Sequence, residues 1–331
     1  MKLISIVLPA YNEEENIRRA ADRLGAVLMP EEIDWELIFV NDGSRDDTWE
    51  RIVEATRENP HVTGVCFSRN FGKEAAIMAG LACAKGDCCV VMDCDLQHPP
   101  ETVVEMLHLW QEGYEVVEGI KRSRGTESKL HALFAGTFYR IMSSATKIDM
   151  SRASDFKLMD RKAVNAILSL PEKNAFFRAL SSWVGFKTTS VEFDVQDREA
   201  GTSKWSTRSL TGYAFRNIAS FSSTPLQFIT AFGMITLLFA IVMGIQTLIR
   251  YFSGNAVAGF TTVILLILLI GSMLMLSLGI IGYYLARIYE ELKNRPRYLI
   301  SEIIPNRIES RSDSEAGIHR AVSFENVQNV K

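Results

Sequence analysis

The chain has 331 residues, 47% of them apolar and 23% charged, with a formal net charge of -3. That length supports a packed core plus a second domain or appendage, and the charge excludes a global attraction to nucleic acid. The five cysteines, at 66, 83, 88, 89 and 94, lack the paired spacing of a zinc site and read as reduced thiols facing the cytoplasm.

In chain order, the first element is the strand-like run "LISIVLPA", followed by the polar cluster "PAYNEEEN". Its apolar stretch is too short for a secretory signal, so the protein is expected to begin in the cytoplasm. A second strand, "WELIFVND", runs into "NDGSRDDT". Trp49, Ile52, Val53 and Thr56 then follow the helical spacing i, i+3, i+4, i+7. The runs "VTGVCFS" and "CCVVMD" are further strands, the latter leading into "DCDLQHPPE". Val103, Met106, Leu107 and Trp110 mark another helix before the strand "YEVVEGI". Strands alternating with helices predict an α/β fold: a mostly parallel sheet with helices on both faces and ligands at the carboxyl ends of the strands.

Beyond the sheet the pattern changes. Segments 128–146 and 207–223 are amphipathic and suit a membrane surface or the flank of the globular domain. Two long uncharged runs follow, 226–249 and 260–285, each able to cross ~30 Å of hydrocarbon at ~1.5 Å per residue. They predict a transmembrane hairpin. Arg208 and Arg216 precede it and Arg287, Lys293, Arg295 and Arg297 follow, against Arg250 alone in the connector, so both ends are expected in the cytoplasm. The domain boundaries expected are thus 1–206 catalytic, 207–225 interfacial, 226–286 hairpin and 287–331 tail, the last thirty residues reading as loose polar chain.

The clusters at the strand ends carry the chemistry. Asn12 and Ser44 suit helix N-caps, with Glu13 to Glu15 and Asp46 to Asp47 in the first turns, and capping alone accounts for much of the polarity there. Asp93 and Asp95 are different. If their strand continues to Asp95, alternation puts both carboxylates on one face with Cys94 opposite. Adjacent carboxylates repel, and a shared divalent cation relieves them; an oxygen-only donor set favours magnesium or manganese. A P-loop fails because Glu74 follows Gly72-Lys73 and Phe67 fills the first glycine position. No G-x-G-x-x-G is present either, and an aspartate-phosphatase pattern is a weak third.

Taken together, "VLPAYNEEEN", "FVNDGSRDDT", "RNFGKEAAIMAG", "MDCDLQHPPE", "SDFKLMDR" and "REAGTSKWS", followed by two spans, resemble the polyprenyl-phosphate glycosyltransferases of inverting family 2. The ending "GIIGYYLARIYEELKNRPRYLI" looks most like the undecaprenyl-phosphate glucosyltransferases, with dolichol-phosphate mannose synthases as cousins. The resemblance implies a GT-A type nucleotide-sugar-binding fold and transfer of one hexose, glucose from UDP-glucose, to undecaprenyl phosphate with inversion. GDP-mannose or another nucleotide sugar is the alternative donor, and an idle membrane partner of a flippase the alternative class. No Q-x-x-R-W motif supports a processive synthase.

By matching motif, Pro9, Tyr11, Glu13, Val40 and Asp42 are implied to hold the nucleotide. Asp93 and Asp95 are implied to hold Mg²⁺ or Mn²⁺ against its diphosphate, beside Cys94, which should point away from the metal, and Gln97. Lys121, Arg198 and Lys204 are implied to meet phosphates, lysine at 121 replacing an arginine common in relatives. Asp155 matches the position given the role of catalytic base. The acceptor, a phosphate monoester with a second pKa near ~6, is already anionic at neutral pH, so Asp155 either orients it or takes a last proton. The implied partners are a nucleotide sugar, a polyprenyl phosphate and the inner membrane, and Gly271, Ser272, Gly279 and Gly282 could support helix association in a homo-oligomer.

Overall fold

The computed structural model of the chain describes residues 2–122, 154–171, 177–194, 224–253, 259–293 and 295–307. Two compact units divide it: Met1–Arg140, Ile148–Lys204 and Pro296–Lys331 form the first, Ile141–Lys147 and Trp205–Arg295 the second.

The first unit is built on strands β1 (Leu3–Ala10), β2 (Asp34–Asn41), β3 (Val62–Phe67), β4 (Cys88–Val91), β5 (Val116–Lys121), β6 (Lys157–Asp160), β7 (Thr188–Phe193) and β8 (Ile300–Ile304). They form one sheet in the order β7-β5-β6-β4-β1-β2-β3-β8. Strands β4, β1, β2 and β3 run parallel, as do β5 and β7, whereas β6 and β8 pair antiparallel to their neighbours. The helices of this unit are α1 (Ile17–Leu28), α2 (Thr48–Glu58), α3 (Lys73–Cys83), α4 (Pro100–Gln111), α5 (Arg161–Ser169) and α6 (Phe177–Trp183).

Alternation along β1 explains the layers. Ile4, Ile6, Leu8 and Ala10 join Ala20, Leu24 and Leu28 of α1 and Val103, Met106 and Leu107 of α4 in one core. Val7, on the other face, meets α3 so closely that a Cβ on Gly80 would lie 2.2 Å from Val7 Cγ1. Both faces of the central strands are therefore covered, which is why they read as near-continuous apolar runs. All five cysteines are free thiols, as expected.

Three local expectations are corrected. Strand β4 ends at Val91, so Asp93 and Asp95 leave a loop rather than a strand, and Leu96 there has a positive φ of 55°. The reason lies in pairing: β6, its antiparallel partner, begins at Lys157 opposite Val91, and no ladder continues beyond. Asn12 and Ser44 do not cap helices; α1 starts after Asn16 and α2 after Asp47, and Asn12 itself adopts φ 55°. The last thirty residues are also not wholly loose. Helix continues to Leu292, and residues 300–304 form β8 on the edge of β3.

Beyond β8 the chain stays fastened to the sheet. Asn306 donates from Nδ2 to Glu36 Oε2 at 2.7 Å, and the backbone N–H of Arg307 donates to the Pro60 carbonyl at 2.8 Å. Glu36 is 1% exposed, and its other oxygen accepts from Ser5 Oγ and the Lys85 N–H. An edge strand so covered no longer offers open pairing groups.

In the second unit, α7 (Thr224–Phe252) and α8 (Phe260–Leu292) are long apolar helices that touch where Thr236 Oγ1 donates to Met273 Sδ. Among the described residues one stretch, Leu269–Ala286, is long and apolar enough to cross a membrane, with mean hydropathy 1.8 and none of it buried; the apolar stretch of α7, Ala231–Met243, is shorter. The amphipathic segments 128–146 and 207–223 lie outside the described residues.

The contact to Glu36 yields a prediction. Asn306→Ala leaves a buried carboxylate oxygen without its donor and should cost ~1–3 kcal/mol in urea unfolding. Asn306→Asp, which adds a like charge, should cost more; equal stability of both variants with the parent would show that the C-terminal segment does not contribute.

Candidate active site

The polar loops converge because of register. In the antiparallel pair β4–β6, Val91 faces Lys157. Two residues past that pair on one strand is Asp93, and two before it on the other is Asp155. The sheet thus delivers two carboxylates, distant in sequence, to one edge. Between them stands an ammonium from a third element: Lys73 Nζ lies 2.6 Å from Asp93 Oδ1 and 3.3 Å from Asp155 Oδ2.

The position of Lys73 is set by Asp42. That carboxylate is 3% exposed and accepts from the N–H groups of Phe71 and Gly72 and from Asn70 Nδ2. Gly72, at φ 100°, then turns the chain into α3, whose first residue is Lys73. Gly43 lets the loop after β2 approach: a Cβ there would lie 2.4 Å from the Arg69 carbonyl carbon. Burial pushes the Asp42 carboxyl up, and the two N–H donors offset this in part.

Asp155 is held from the other side by Arg178 of α6, which donates from Nε at 2.6 Å and from Nη2 at 2.8 Å. Such a fork fixes the carboxylate plane. Beneath it, fully buried Lys157 donates to Glu118 Oε1 at 2.7 Å and to Ser181 Oγ, while Glu118 Oε2 accepts from the Ser154 N–H. The residue before Asp155 and the second residue after it are therefore anchored. Burial alone would raise the Asp155 carboxyl, but the Arg178 hydrogen bond and the Lys73 charge overcome it and hold the group well below the usual carboxylate range. Asp93 is lowered likewise: burial opposes its charge, and Lys73 outweighs it. The two carboxylates in turn hold the Lys73 ammonium above the ordinary lysine range, outweighing its partial loss of solvent.

Glu74 completes the cluster. Its Oε2 accepts from the Phe177 N–H at 2.9 Å, and burial together with the Asp155 charge pushes its carboxyl up to about 7. His98 packs on Phe156 at 4.6 Å between centroids, buried, with Nδ1 unpartnered among the described residues; burial pulls its pKa down.

The remaining sites expected from sequence fall as follows. The loops after β1 and β2 are knitted together: the Asn12 N–H donates to Ser44 Oγ, the Arg45 N–H to Asn12 Oδ1 and the Glu13 N–H to Thr48 Oγ1. Tyr11 and Glu13 are half-buried beside Pro9 at this edge. Val40 is fully buried near the end of β2. Asp42, just past the end of β2, has its carboxylate engaged by the 70–72 loop. Cys94 is buried in the core, with Sγ 3.4 Å from the Pro9 carbonyl. Asp95 Oδ1 accepts from the Gln97 N–H at 3.2 Å, and Lys121 is exposed at the end of β5. Arg122 pairs with Glu192 and Asp194. Arg124, Arg198 and Lys204 lie outside the described residues.

Among the described residues no group of three or more His, Cys, Asp or Glu is arranged to hold a metal. Asp93 and Asp95 nevertheless fit one kind of ion. Asp93 already accommodates a cation, the Lys73 ammonium, and a hard ion bound by one or two carboxylates completes its shell with water and substrate phosphates. Lys73, Glu74 and Arg178 carry the cluster, yet the motifs alone assigned them no role. Lys73 stood in plain view within "RNFGKEAAIMAG"; nothing in the pattern around Arg178 announces its partner.

Against known proteins, the model of glycosyl transferase family 2 matches residues 5–168. An uncharacterized glycosyltransferase of Synechocystis sp., sll0501, is 40% identical over 302 residues, covering 91% of this chain and 95% of that one. The SfII prophage-derived bactoprenol glucosyl transferase of Shigella flexneri is 38% identical over 307 residues, covering 90% and 97%. Glucosyl-3-phosphoglycerate synthase from Mycobacterium tuberculosis, solved with UDP, is 23% identical with a TM-score of 0.46, covering 66% of this chain and 79% of that one.

Glu74 makes the pH dependence of folding testable. Its carboxyl is raised on folding from an ordinary value near 4.5 to about 7, so the folded state favours the protonated form. That stabilisation is complete below the ordinary value and is lost as pH rises through about 7. Glu74→Gln, which cannot titrate, should gain stability relative to the parent as pH is raised across this window in chemical denaturation. Parallel curves would refute it.

Proposed function

The chain belongs to the family 2 glycosyltransferases, and on that footing we propose that it transfers one glucose from UDP-glucose to undecaprenyl phosphate with inversion at the anomeric carbon. The observation that carries the reading is the meeting of Asp93 and Asp155 around Lys73, which puts a leaving-group carboxylate and an acceptor-side carboxylate within reach of one small reacting centre. The name of the Shigella flexneri relative supports glucose and a polyprenyl acceptor.

In this reading an acceptor phosphate oxygen forms a bond to the sugar C1 while the bond from C1 to the diphosphate oxygen breaks, and the nucleoside diphosphate departs from the opposite face. The oxocarbenium-like transition state places growing negative charge on the leaving group. Asp93 and Asp95 would hold Mg²⁺ or Mn²⁺, which supplies neutralisation of that charge. Gln97, Pro9, Tyr11 and Glu13 line the donor side, while Lys121, Arg198 and Lys204 meet phosphates. Asp155 is a poor proton acceptor, since Arg178 and Lys73 stabilise its ionised form. The acceptor, with a second pKa near ~6, reaches the site already anionic and needs no strong base. Asp155 therefore orients the acceptor through the cations it holds.

The lipid acceptor accounts for the second unit. In this reading α7 and α8 form the hairpin expected from sequence, spanning 226–249 and 260–285, with 207–225 at the interface. The catalytic unit and the remainder of the chain lie on the cytoplasmic side of the plasma membrane. The intact constellation of Asp93, Asp95 and Asp155 speaks against an idle partner.

Membranes containing the protein, given labelled UDP-glucose and undecaprenyl phosphate, should yield a labelled lipid that mild acid hydrolyses. Asp95→Asn and removal of divalent metal should each lower the rate by ~10²-fold or more, the scale of losing a strong transition-state stabiliser. Absence of transfer from every UDP- and GDP-sugar would overturn the assignment.

A further inference from the structure

Lys73 does more than neutralise. Its position is rigidly set: the backbone before it is pinned through Asp42, and the side chain reaches across to two carboxylates from two other elements. An ammonium has three N–H donors, and two are directed at Asp93 and Asp155. The third has no partner among the described residues, and the side chain is 41% exposed, against 15% for Asp155.

Charge makes the argument sharper. Asp155 is already balanced by the two-pronged contact of Arg178, so Lys73 depends mainly on Asp93 for its counter-charge. Under the reading above, Asp93 belongs to the divalent cation that accompanies the donor. Once Asp93 is so engaged, Lys73 loses its nearest counter-charge beside Asp155, on the nucleophile's side. A carboxylate and a phosphate repel, and they can sit together only with a cation between them. We propose that Lys73 is the residue that binds the phosphate monoester of the acceptor, exchanging Asp93 for that phosphate when donor and metal occupy the site. The donor's diphosphate would have its counter-charge in the divalent cation held by Asp93 and Asp95, so the acceptor is the phosphate that remains for Lys73. An ordered sequence follows: the acceptor phosphate binds more tightly after the nucleotide and metal.

The proposal rests on the glycosyl-transfer reading, and a binding experiment separates the two. Full-length protein in detergent is titrated with a short-chain polyprenyl phosphate in the presence and absence of UDP and Mg²⁺, which needs no sugar transfer. The parent should bind at least tenfold more tightly with UDP and Mg²⁺ present. Lys73→Met should lose at least tenfold of that acceptor affinity while retaining thermal stabilisation by UDP and Mg²⁺, and Lys73→Arg, which keeps the charge, should recover most of it. In turnover, Lys73→Met should show a raised acceptor KM and little change in the KM for UDP-glucose. Lys73→Gln serves as the neutral variant if the methionine form does not fold. Equal acceptor affinity in parent and neutral variant, or loss confined to UDP stabilisation, would overturn the proposal. Failure of sugar transfer with acceptor binding still dependent on Lys73 would instead overturn only the donor assignment.

Discussion

Three carboxylates from three elements, Asp93, Asp155 and Glu74, are gathered at one edge of the sheet, and the first two stay there because two cations, Lys73 and Arg178, pair with them. Two like charges ~4 Å apart near a protein surface cost ~4 kcal/mol, a large share of a domain's net stability. Lys73 and Arg178 turn that repulsion into attraction. Glu74, whose Oε2 accepts from the Phe177 N–H, answers the same field by taking up a proton more readily.

The rest of the architecture serves this arrangement. The antiparallel insertion of β6 between β4 and β5 is what brings Asp155 opposite Asp93. A parallel strand would have carried its first residues to the opposite edge. Buried Lys157 is locked to Glu118 of the adjacent strand, so the peptide bearing Asp155 has little freedom to move away from its cations. Removing one member of such a buried pair is typically far costlier than the pair's net contribution, which makes it a device of position more than of stability.

The strands were legible because Val, Ile and Phe cluster in short runs bounded by polar turns; β1 is the stretch "LISIVLPA" residue for residue. The buried face of α4 was legible from Val103, Met106, Leu107 and Trp110 at helical spacing, all of them buried. Strand β8 was not, because "ISEII" is five residues with polar neighbours and becomes a strand only against the free edge of β3. Long-range pairing is likewise absent from local pattern. Asp155 and Arg178 lie 23 positions apart, and Lys73 and Asp155 lie 82 apart, so neither contact leaves a periodic trace. Asn12 and Ser44 misled for a related reason: short polar side chains that could cap a helix can equally bridge two loops, and the sheet decides between them.

The C-terminal segment then acquires a role in aiming the cluster. The Ser68 N–H donates to the Leu299 carbonyl at 3.0 Å, and Tyr298 stacks on Phe67 at 5.1 Å, with Phe71 edge-on to the same ring. These residues border the 70–72 turn whose N–H groups Asp42 accepts and which ends at Lys73. Asp42 grips that turn from within the sheet, and the chain that emerges from α8 buttresses it from the edge. Tyr298 and β8 thus tie the C-terminal segment of the first unit, by stacking and hydrogen bonds, to the turn that ends at Lys73. On the proposed reading, in which Lys73 meets the acceptor phosphate, the direction of that ammonium is set by the same few residues that fasten the C-terminal strand to the sheet.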